Sequence, residues 1–213
     1  MNRLRFVITA GPTREHIDPV RFLSNPSTGK MGFAIARAAA SRGHAVTLVT
    51  GPVALKTPSG VRRIDVVSAR DMMSSVKHAL AGSQSAATVF VATAAVADWR
   101  PEKCAATKLK KGRMLNVLKL TRNPDILKSA KCAKKVGFAA ETNDVIAQAR
   151  RKCREKGLEM IVANDVTEKG AGFGTDTNRV SFVWKDGSVE RLPLMSKLAV
   201  ARRIVRKCED ICS

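Results

Sequence analysis

The residues best suited to chemistry in this chain lie in one stretch near its start. An apolar segment, Phe6–Ala10, runs into a Gly-Pro-Thr turn at residues 11–13, and a second small-residue turn follows at residues 27–32. Backbone N–H groups in the first turn of a helix are unpaired and carry partial positive charge, so they favour an anion. Glycine also lets a backbone approach a phosphate closely. This order predicts a phosphate-binding cradle formed by Gly11, Ser27, Gly29, Lys30 and Gly32.

The stretch matches neither of the two common phosphate-binding fingerprints. The dinucleotide pattern G-x-G-x-x-G fails because Pro12, Thr13 and Arg14 follow Gly11. The P-loop pattern G-x-x-x-x-G-K-[ST] is also missing. A tight strand–helix turn that binds no ligand is the alternative at this stage.

Five further motifs follow in a fixed order, and the set resembles one family. They are residues 94–101 (AAVADWRP), 108–111 (KLKK), 123–127 (NPDIL), 137–142 (GFAAET) and 163–165 (AND). Each motif alone is weak, but their order is specific. With the first stretch they resemble the phosphopantothenate–cysteine ligases, often the C-terminal half of a bifunctional flavoprotein of coenzyme A synthesis. The resemblance covers the chain from about Phe6 to about Val183.

The resemblance implies amide formation between 4′-phosphopantothenate and L-cysteine. A carboxylate is a poor electrophile, and a nucleotide activates it as an acyl-nucleotidylate with loss of pyrophosphate. Such chemistry needs positioning, electrostatic stabilisation and a divalent metal, here Mg²⁺. Bacterial members of the family mostly use CTP and the eukaryotic type uses ATP. The patterns at residues 24–32 (SNPSTGKMG) and 108–111 look bacterial, so CTP is the expected nucleotide.

Two residues take catalytic roles by this resemblance. Asn25 precedes a proline, which by itself indicates only a turn, but the matching asparagine of the family acts on the acyl-nucleotide intermediate. A neutral amide can donate a hydrogen bond to a developing oxyanion. Lys108 matches the first lysine of the family's lysine-rich motif. With Lys110 and Lys111 it would form a mobile cationic flap over the phosphates, although such clusters are commonly solvated surface.

The remaining motif residues are expected at the nucleotide. Asp98 follows an apolar strand, where a carboxylate suits Mg²⁺ or a ribose hydroxyl, or else an N-cap. Ala94 and Ala95 leave room for a flat base, and the resemblance implies recognition of cytosine by backbone groups. The other expected nucleotide-binding residues are Asn123, Pro124, Asp125, Ile126, Phe138 and Glu141. A purely capping role for Asp125 is the alternative. The block at residues 173–178 (FGTDTN) is expected to shape a loop.

Apolar runs separated by helical patterns predict the elements that position these residues. Predicted strands are Arg5–Ala10, Ala45–Thr50, Arg62–Val67, Thr88–Ala95, Val136–Ala140 and Met160–Ala163, with a hairpin at Ser181–Val183 and Val189–Leu192. Predicted helices are Met31–Arg42, Ala69–Ala81, Asp125–Ala133, Thr142–Lys156 and Leu194–Cys212. This alternation predicts an α/β fold, a doubly wound, Rossmann-like, mostly parallel sheet. We expect one ligase domain over residues 1–213, with a small dimerisation or flap extension at about residues 100–122.

The composition excludes several classes of protein. The chain has 213 residues, 45% of them hydrophobic, and lacks an apolar run of the roughly 20 residues that a membrane span needs. The start of the chain reads as a strand and not as a signal peptide, so the cytoplasm is expected. Five scattered cysteines and three histidines argue against a disulfide framework or a zinc site.

Two rival functions remain open. The net charge of +20 suggests nucleic-acid binding, but aromatic residues make up only 4% of the chain, so stacking platforms are scarce and such affinity is expected to be incidental. The second rival, an NAD(P)-dependent oxidoreductase, needs an acid at the end of its second strand, where Val49, Thr50 and Gly51 stand. The resemblance also implies a homodimer, and a separate phosphopantothenoylcysteine decarboxylase as a partner.

Overall fold

The computed structural model describes residues 3–81, 87–110, 117–132, 134–165, 167–168, 170–172 and 174–213. The strands are β1 (Arg5–Ala10), β2 (Arg14–His16), β3 (Phe22–Ser24), β4 (Ala45–Thr50), β5 (Val61–Asp65), β6 (Thr88–Ala92), β7 (Trp99–Pro101), β8 (Leu120–Arg122), β9 (Lys134–Glu141), β10 (Met160–Asp165), β11 (Thr177–Asn178), β12 (Ser181–Trp184), β13 (Val189–Arg191) and β14 (Met195–Ser196). The helices are α1 (Lys30–Ser41), α2 (Ala69–Leu80), α3 (Ile126–Ser129), α4 (Val145–Glu155) and α5 (Lys197–Cys212).

Eight strands form the central sheet in the order β13-β12-β10-β9-β6-β1-β4-β5. The six strands from β10 to β5 are parallel, and β12 and β13 add an antiparallel edge. The chain moves outward from β1 through β4 to β5, then returns to the other side of β1 as β6. The strand order therefore reverses between β1 and β6, and such a switch point is where open α/β sheets bind ligands at their carboxyl edge.

Helices cover both faces of the sheet because successive strand residues point to opposite sides. Phe6 and Ile8 belong to the core under α1 and α5, whereas Val7 between them belongs to the core under α2 and α3. Helix α4 packs on the same side as α2, over Ile161. The predicted fold class, a doubly wound, mostly parallel Rossmann-like sheet, is confirmed.

Two short hairpins stand outside the sheet and were not predicted. Strands β2 and β3 pair within the long connection between β1 and α1, and β7 pairs with β8 across the predicted extension. Strands β2 and β7 also contact each other. Each of these strands has only three residues, which is too short to show the apolar alternation that predicts a strand. We call β2, β3, β7, β8 and the adjoining described residues 17–21, 102–110 and 117–119 the extension.

The largest error in the predicted elements is the helix at Asp125–Ala133. The structure has a single turn, α3, because Ala130 is already in an extended conformation and β9 begins at Lys134. The predicted strand Thr88–Ala95 ends at Ala92, where the backbone leaves the sheet. The other boundaries shift by a few residues, and the hairpin of β12 and β13 with its Asp-Gly turn is confirmed.

None of the helices in the described residues is long and apolar enough to cross a membrane.

Candidate functional site

The chain segments that follow β1 and β6 are hydrogen-bonded to each other at the switch point. Ala95 N–H donates to Gly11 O at 2.9 Å, and Thr13 N–H donates to Ala95 O at 3.4 Å. The Thr13 hydroxyl accepts from Ala97 N–H at 3.0 Å, and the Thr13 side chain is buried. These bonds take residues 93–97 off the sheet and hold them along the carboxyl edge.

A cavity of about 770 Å³ opens beside this segment. It is bordered by the ends of β1, β6, β9 and β10 and by the first turns of α1, α3 and α5. Many of the predicted site residues line it: Asn25, Ser27, Gly29, Lys30, Gly32, Ala94, Ala95, Asp98, Asn123, Pro124, Asp125, Ile126 and Phe138.

The first turn of α1 lies against the switch point with its backbone donors available. Gly29 is the N-cap at φ 77°, and no side chain caps the turn. A Cβ added at Gly32 would lie 2.5 Å from both Ala10 Cβ and Thr93 Oγ1, so only glycine allows this approach. Gly11 is not in the cavity lining, but it packs behind this turn, 3.4 Å from the position of a Cβ at Gly29. Such a turn is suited to binding a phosphate.

Asn25 bonds the connection before α1 to the segment after β6. Its Nδ2 donates to Ala95 O at 3.1 Å and to Val96 O at 3.2 Å. Both amide hydrogens are thereby directed at the backbone, and the other polar atom of the side chain is the acceptor Oδ1.

The loop of residues 123–127 forms another part of the cavity wall. Asn123 N–H donates to Asp98 O, and Asn123 Nδ2 donates to Ala97 O, both at 2.8 Å. Asp125 caps α3 through Lys128 N–H at 2.9 Å and pairs with Lys156 Nζ at 3.2 Å. The capping role considered for Asp125 is therefore present, and its carboxylate also meets a cation that lines the cavity.

Several predicted residues lie outside the cavity lining. Lys108 and Lys110 are exposed on the extension, and Glu141 pairs with Lys152 at 2.6 Å between Oε1 and Nζ. Lys111 and Phe173 lie outside the described residues.

A buried carboxylate fixes the lysine-bearing segment of the extension. The Asp18 side chain is fully covered and accepts from the backbone N–H groups of Val20 at 2.9 Å, Arg21 at 2.8 Å and Leu109 at 3.1 Å. It also accepts from the Arg21 guanidinium, which donates in turn to Leu109 O at 3.0 Å. The ion pair with Arg21 and the three N–H donors hold the pKa of Asp18 well below its usual value. Lys108 and Lys110 flank Leu109, whose backbone this network holds by hydrogen bonds.

Sequence reasoning did not place several polar residues of the lining in the site. Among them are Thr9 at the end of β1, Arg122 at the end of β8, Lys156 directly after α4 and Lys197 at the start of α5. The position of Thr9 at the end of a predicted strand was an available signal. Nothing local distinguishes Lys156 and Lys197 from other lysines, because only the packing of α4 and α5 brings them to this edge.

Comparisons with known proteins agree on one family. The family model described as "DNA/pantothenate metabolism flavoprotein C-terminal domain" matches residues 1–211. A "Coenzyme A biosynthesis bifunctional protein CoaBC" of Vibrio cholerae is 49% identical over 208 residues, which are 94% of this chain and 51% of that protein. The chain thus spans about half the length of the curated relatives that it matches.

Solved structures agree with this match. The crystal structure of the C-terminal domain of a coenzyme A biosynthesis bifunctional protein CoaBC has a TM-score of 0.80 and 43% identity, covering 98% of this chain and 95% of that one. A Cab2 mutant in complex with phosphopantothenate-cysteine has a TM-score of 0.81, covering 98% and 87%. Its identity is 15%, so it shows the shared fold alone. The resemblance inferred from the motifs is confirmed.

The close approach at Gly32 predicts a binding defect on substitution. In Gly32→Ala the new Cβ must push α1 away from Ala10 and Thr93, which displaces the first turn of α1. We expect affinity for the nucleoside triphosphate to fall about tenfold or more, measured by calorimetric titration. Gly43→Ala is the control, because it has open space but φ 83°, so it strains the backbone away from the cavity. Equal affinities of Gly32→Ala and the wild type would contradict this assignment.

The buried Asp18 predicts a pH-dependent contribution to stability. Because folding lowers its pKa, the contribution is complete above the unfolded-state pKa of about 4 and declines as the pH falls toward the folded-state value. Asp18→Asn should lower the thermal unfolding midpoint at pH 7, and the difference from the wild type should shrink progressively below about pH 4. The exposed Asp210→Asn is the control. A difference that is constant from pH 7 to pH 3 would exclude an ionised Asp18 as the stabilising form.

Proposed function

We propose that this chain, which belongs to the DNA/pantothenate metabolism flavoprotein C-terminal domain family, is a phosphopantothenate–cysteine ligase that uses CTP. The observation that carries the proposal is the cavity at the switch point, where motifs scattered between residues 25 and 138 converge on the first turn of α1. The high identity to CoaBC proteins of coenzyme A biosynthesis supports the same activity.

The first half-reaction activates the substrate. A carboxylate oxygen of 4′-phosphopantothenate attacks the α-phosphorus of CTP, pyrophosphate leaves, and an acyl-cytidylate forms. The uncapped N–H groups of α1 would hold the phosphates of CTP, and Ser27 and Lys30 lie at the same turn. The exposed side chain of Lys108, next to the backbone that Asp18 holds at Leu109, would extend over the anions. Charge on the transferring group is thereby met by fixed donors and cations.

The second half-reaction forms the amide. The amine of L-cysteine attacks the acyl carbon, CMP leaves, and the amine loses a proton. Asn25 supports this step by holding residues 95 and 96 beside the cavity, since both of its amide hydrogens are bonded there. Donation from Asn25 to an oxyanion requires one of those two bonds to be exchanged for the new one.

The lining fits a metal that arrives with the nucleotide. Mg²⁺ keeps several waters and commonly binds one or two carboxylates together with substrate phosphates. Asp98 and Asp125 are the carboxylates of the described lining, and no group of three or more metal-binding side chains occurs in the described residues. Asp98, which forms no ion pair with a described residue, would hold the ion. Mg²⁺ held there would neutralise part of the phosphate charge.

The wider biological setting follows from the same proposal. The chain would act as one ligase domain over residues 1–213, in the cytoplasm and as a homodimer. A phosphopantothenoylcysteine decarboxylase, as a separate chain or a fused domain, would consume its product. Incidental nucleic-acid affinity of the basic surface remains an expectation from the net charge of +20.

Pyrophosphate release tests the proposed reaction. In the presence of Mg²⁺, we expect continuous release of pyrophosphate only when 4′-phosphopantothenate, L-cysteine and the nucleotide are all present. Release should be faster with CTP than with ATP. Lys108→Gln removes the flap cation, and Asn25→Asp sets a carboxylate against Ala95 O and Val96 O, so each should reduce turnover about 100-fold or more. Lys185→Gln, on the exposed turn between β12 and β13, is the control. No release from folded wild-type protein with either nucleotide would overturn the proposal.

The extension predicts a dimer contact. Six of the large apolar side chains exposed in the described residues belong to it: Val20, Phe22, Trp99, Val117, Leu118 and Leu120. Several exposed apolar side chains on one part of a surface are typical of a protein–protein interface. The double variant Val20→Asp, Leu120→Asp should be monomeric by light scattering, whereas Val67→Asp, at a comparably exposed apolar residue outside the extension, should stay dimeric. A monomeric wild type, or a dimeric double variant, would contradict this interface.

A further inference from the structure

One loop of the cavity wall accepts hydrogen bonds from two lysines. We call residues 170–172 and 174–178 the wall loop. Lys30 and Lys197 are the first residues of α1 and α5, which pack against each other on one face of the sheet. Both side chains extend to the wall loop, and both line the cavity.

Lys30 forms hydrogen bonds with the middle of the wall loop. Its Nζ donates to Gly174 O at 2.9 Å and to Asp176 Oδ1 at 2.7 Å. The pair is largely open to water, since the Asp176 side chain is 88% exposed. An ion pair this exposed is weak. Because Lys30 is therefore not tightly bound to Asp176, its charge can also attract an anion at the first turn of α1.

Lys197 is buried and also forms hydrogen bonds with the wall loop. It is only 7% exposed, and its Nζ donates to Thr175 O at 2.7 Å and to Gly172 O at 3.0 Å. Both acceptors are neutral carbonyls, and no carboxylate among the described residues forms an ion pair with it. Burial lowers its pKa, the nearby Lys30 lowers it further, and Asp176 partly opposes this.

Burial of the Lys197 ammonium lowers the stability of the fold. A buried ammonium without a counter-ion loses hydration that two carbonyls only partly replace. Lys197 lines the cavity together with Gly172, Asn178 and Asn164, the last of which lies in β10. With Lys30 it brings two positive charges to this side of the cavity against the single carboxylate of Asp176. An anionic ligand bound at this end of the cavity would supply negative charge opposite Lys30 and Lys197.

We propose that Lys197 is a positioning residue for the phosphates of the bound nucleotide. It fixes the wall loop by two carbonyls and makes this end of the cavity positive. The inference rests on the proposed function, because it assigns a role within the same site. Lys197 acts through the wall loop and the field, so its removal should weaken binding of phosphates and leave binding of the nucleoside unchanged.

Titration with CTP and with cytidine separates these contributions. Calorimetry suits CTP, and ligand-observed NMR suits the weaker cytidine. Lys197→Met, which matches the length and apolar stem of lysine, should bind CTP about 10- to 100-fold more weakly and bind cytidine as the wild type does. Lys197→Arg keeps the charge and the donors, so it should recover most of the CTP affinity. Lys207→Met is the matched control and should bind both ligands normally, because Lys207 lies outside the cavity lining, where it pairs with Glu190 and packs over Trp184.

The possible results are distinct. Unchanged CTP affinity in Lys197→Met, or equal losses of CTP and cytidine affinity, would overturn the role of Lys197 and leave the proposed function standing. A wild-type protein that binds neither CTP nor ATP would overturn the proposed function, and the role of Lys197 with it. If Lys197→Met does not fold, Lys197→Gln removes the charge but keeps a donor, and the same expectations apply to it.

Discussion

The hydrogen bonds between the segments that follow β1 and β6 are the constraint on which the site depends. In a regular sheet these segments would diverge, one into a helix and the other into a crossover. Here Gly11, Thr13 and Asn25 bond the backbone of residues 95–97, so that it lines the carboxyl edge. The same bonds leave space between this segment and α1, and the cavity occupies that space. Displacing residues 11–13 would therefore disturb the cradle, Asn25 and the wall near Asp98 together.

The connection between β1 and α1 also links the cavity to the extension. It carries Asn25 at the cavity and Asp18 at the extension, seven positions apart in one covalent segment. Asp18 is buried with an arginine and three backbone donors, which suits a permanently ionised carboxylate. Lys197 is buried with neutral carbonyls alone. The two buried charges thus differ in kind: the first is satisfied within the fold, and the second leaves positive potential for a ligand.

The fold was predictable from the sequence where local pattern decides it. Apolar runs such as Arg5–Ala10 and Ala45–Thr50 gave the parallel strands with their correct bounds. The convergence of the motifs followed from their places after strands, because parallel strands end at one edge. The turns at Gly11, Gly29 and Gly32 were predicted by the same reasoning, since turns that need positive φ or close approach demand glycine; their binding of phosphate stays a prediction.

The remainder depends on contacts between distant residues. The turn at α3 stops early because the chain must enter β9, and no residue in 125–133 encodes that. Lys108 was expected at the phosphates, yet its segment is placed by Asp18, 90 positions earlier. The role of Lys197 depends on a loop that reaches it only in the folded chain. Such charges have no periodicity, so they are found from coordinates and not from pattern.

The most direct test of the site is a crystal structure of the chain with CTP, Mg²⁺ and 4′-phosphopantothenate, without L-cysteine. The phosphates should lie against the first turn of α1, between Lys30 and the segment of residues 93–97. The acyl-cytidylate, or the substrate carboxylate beside the α-phosphate, should lie within reach of Asn25. Density for the nucleotide at any other place on the protein would contradict the assignment of this cavity as the site where the carboxylate is activated.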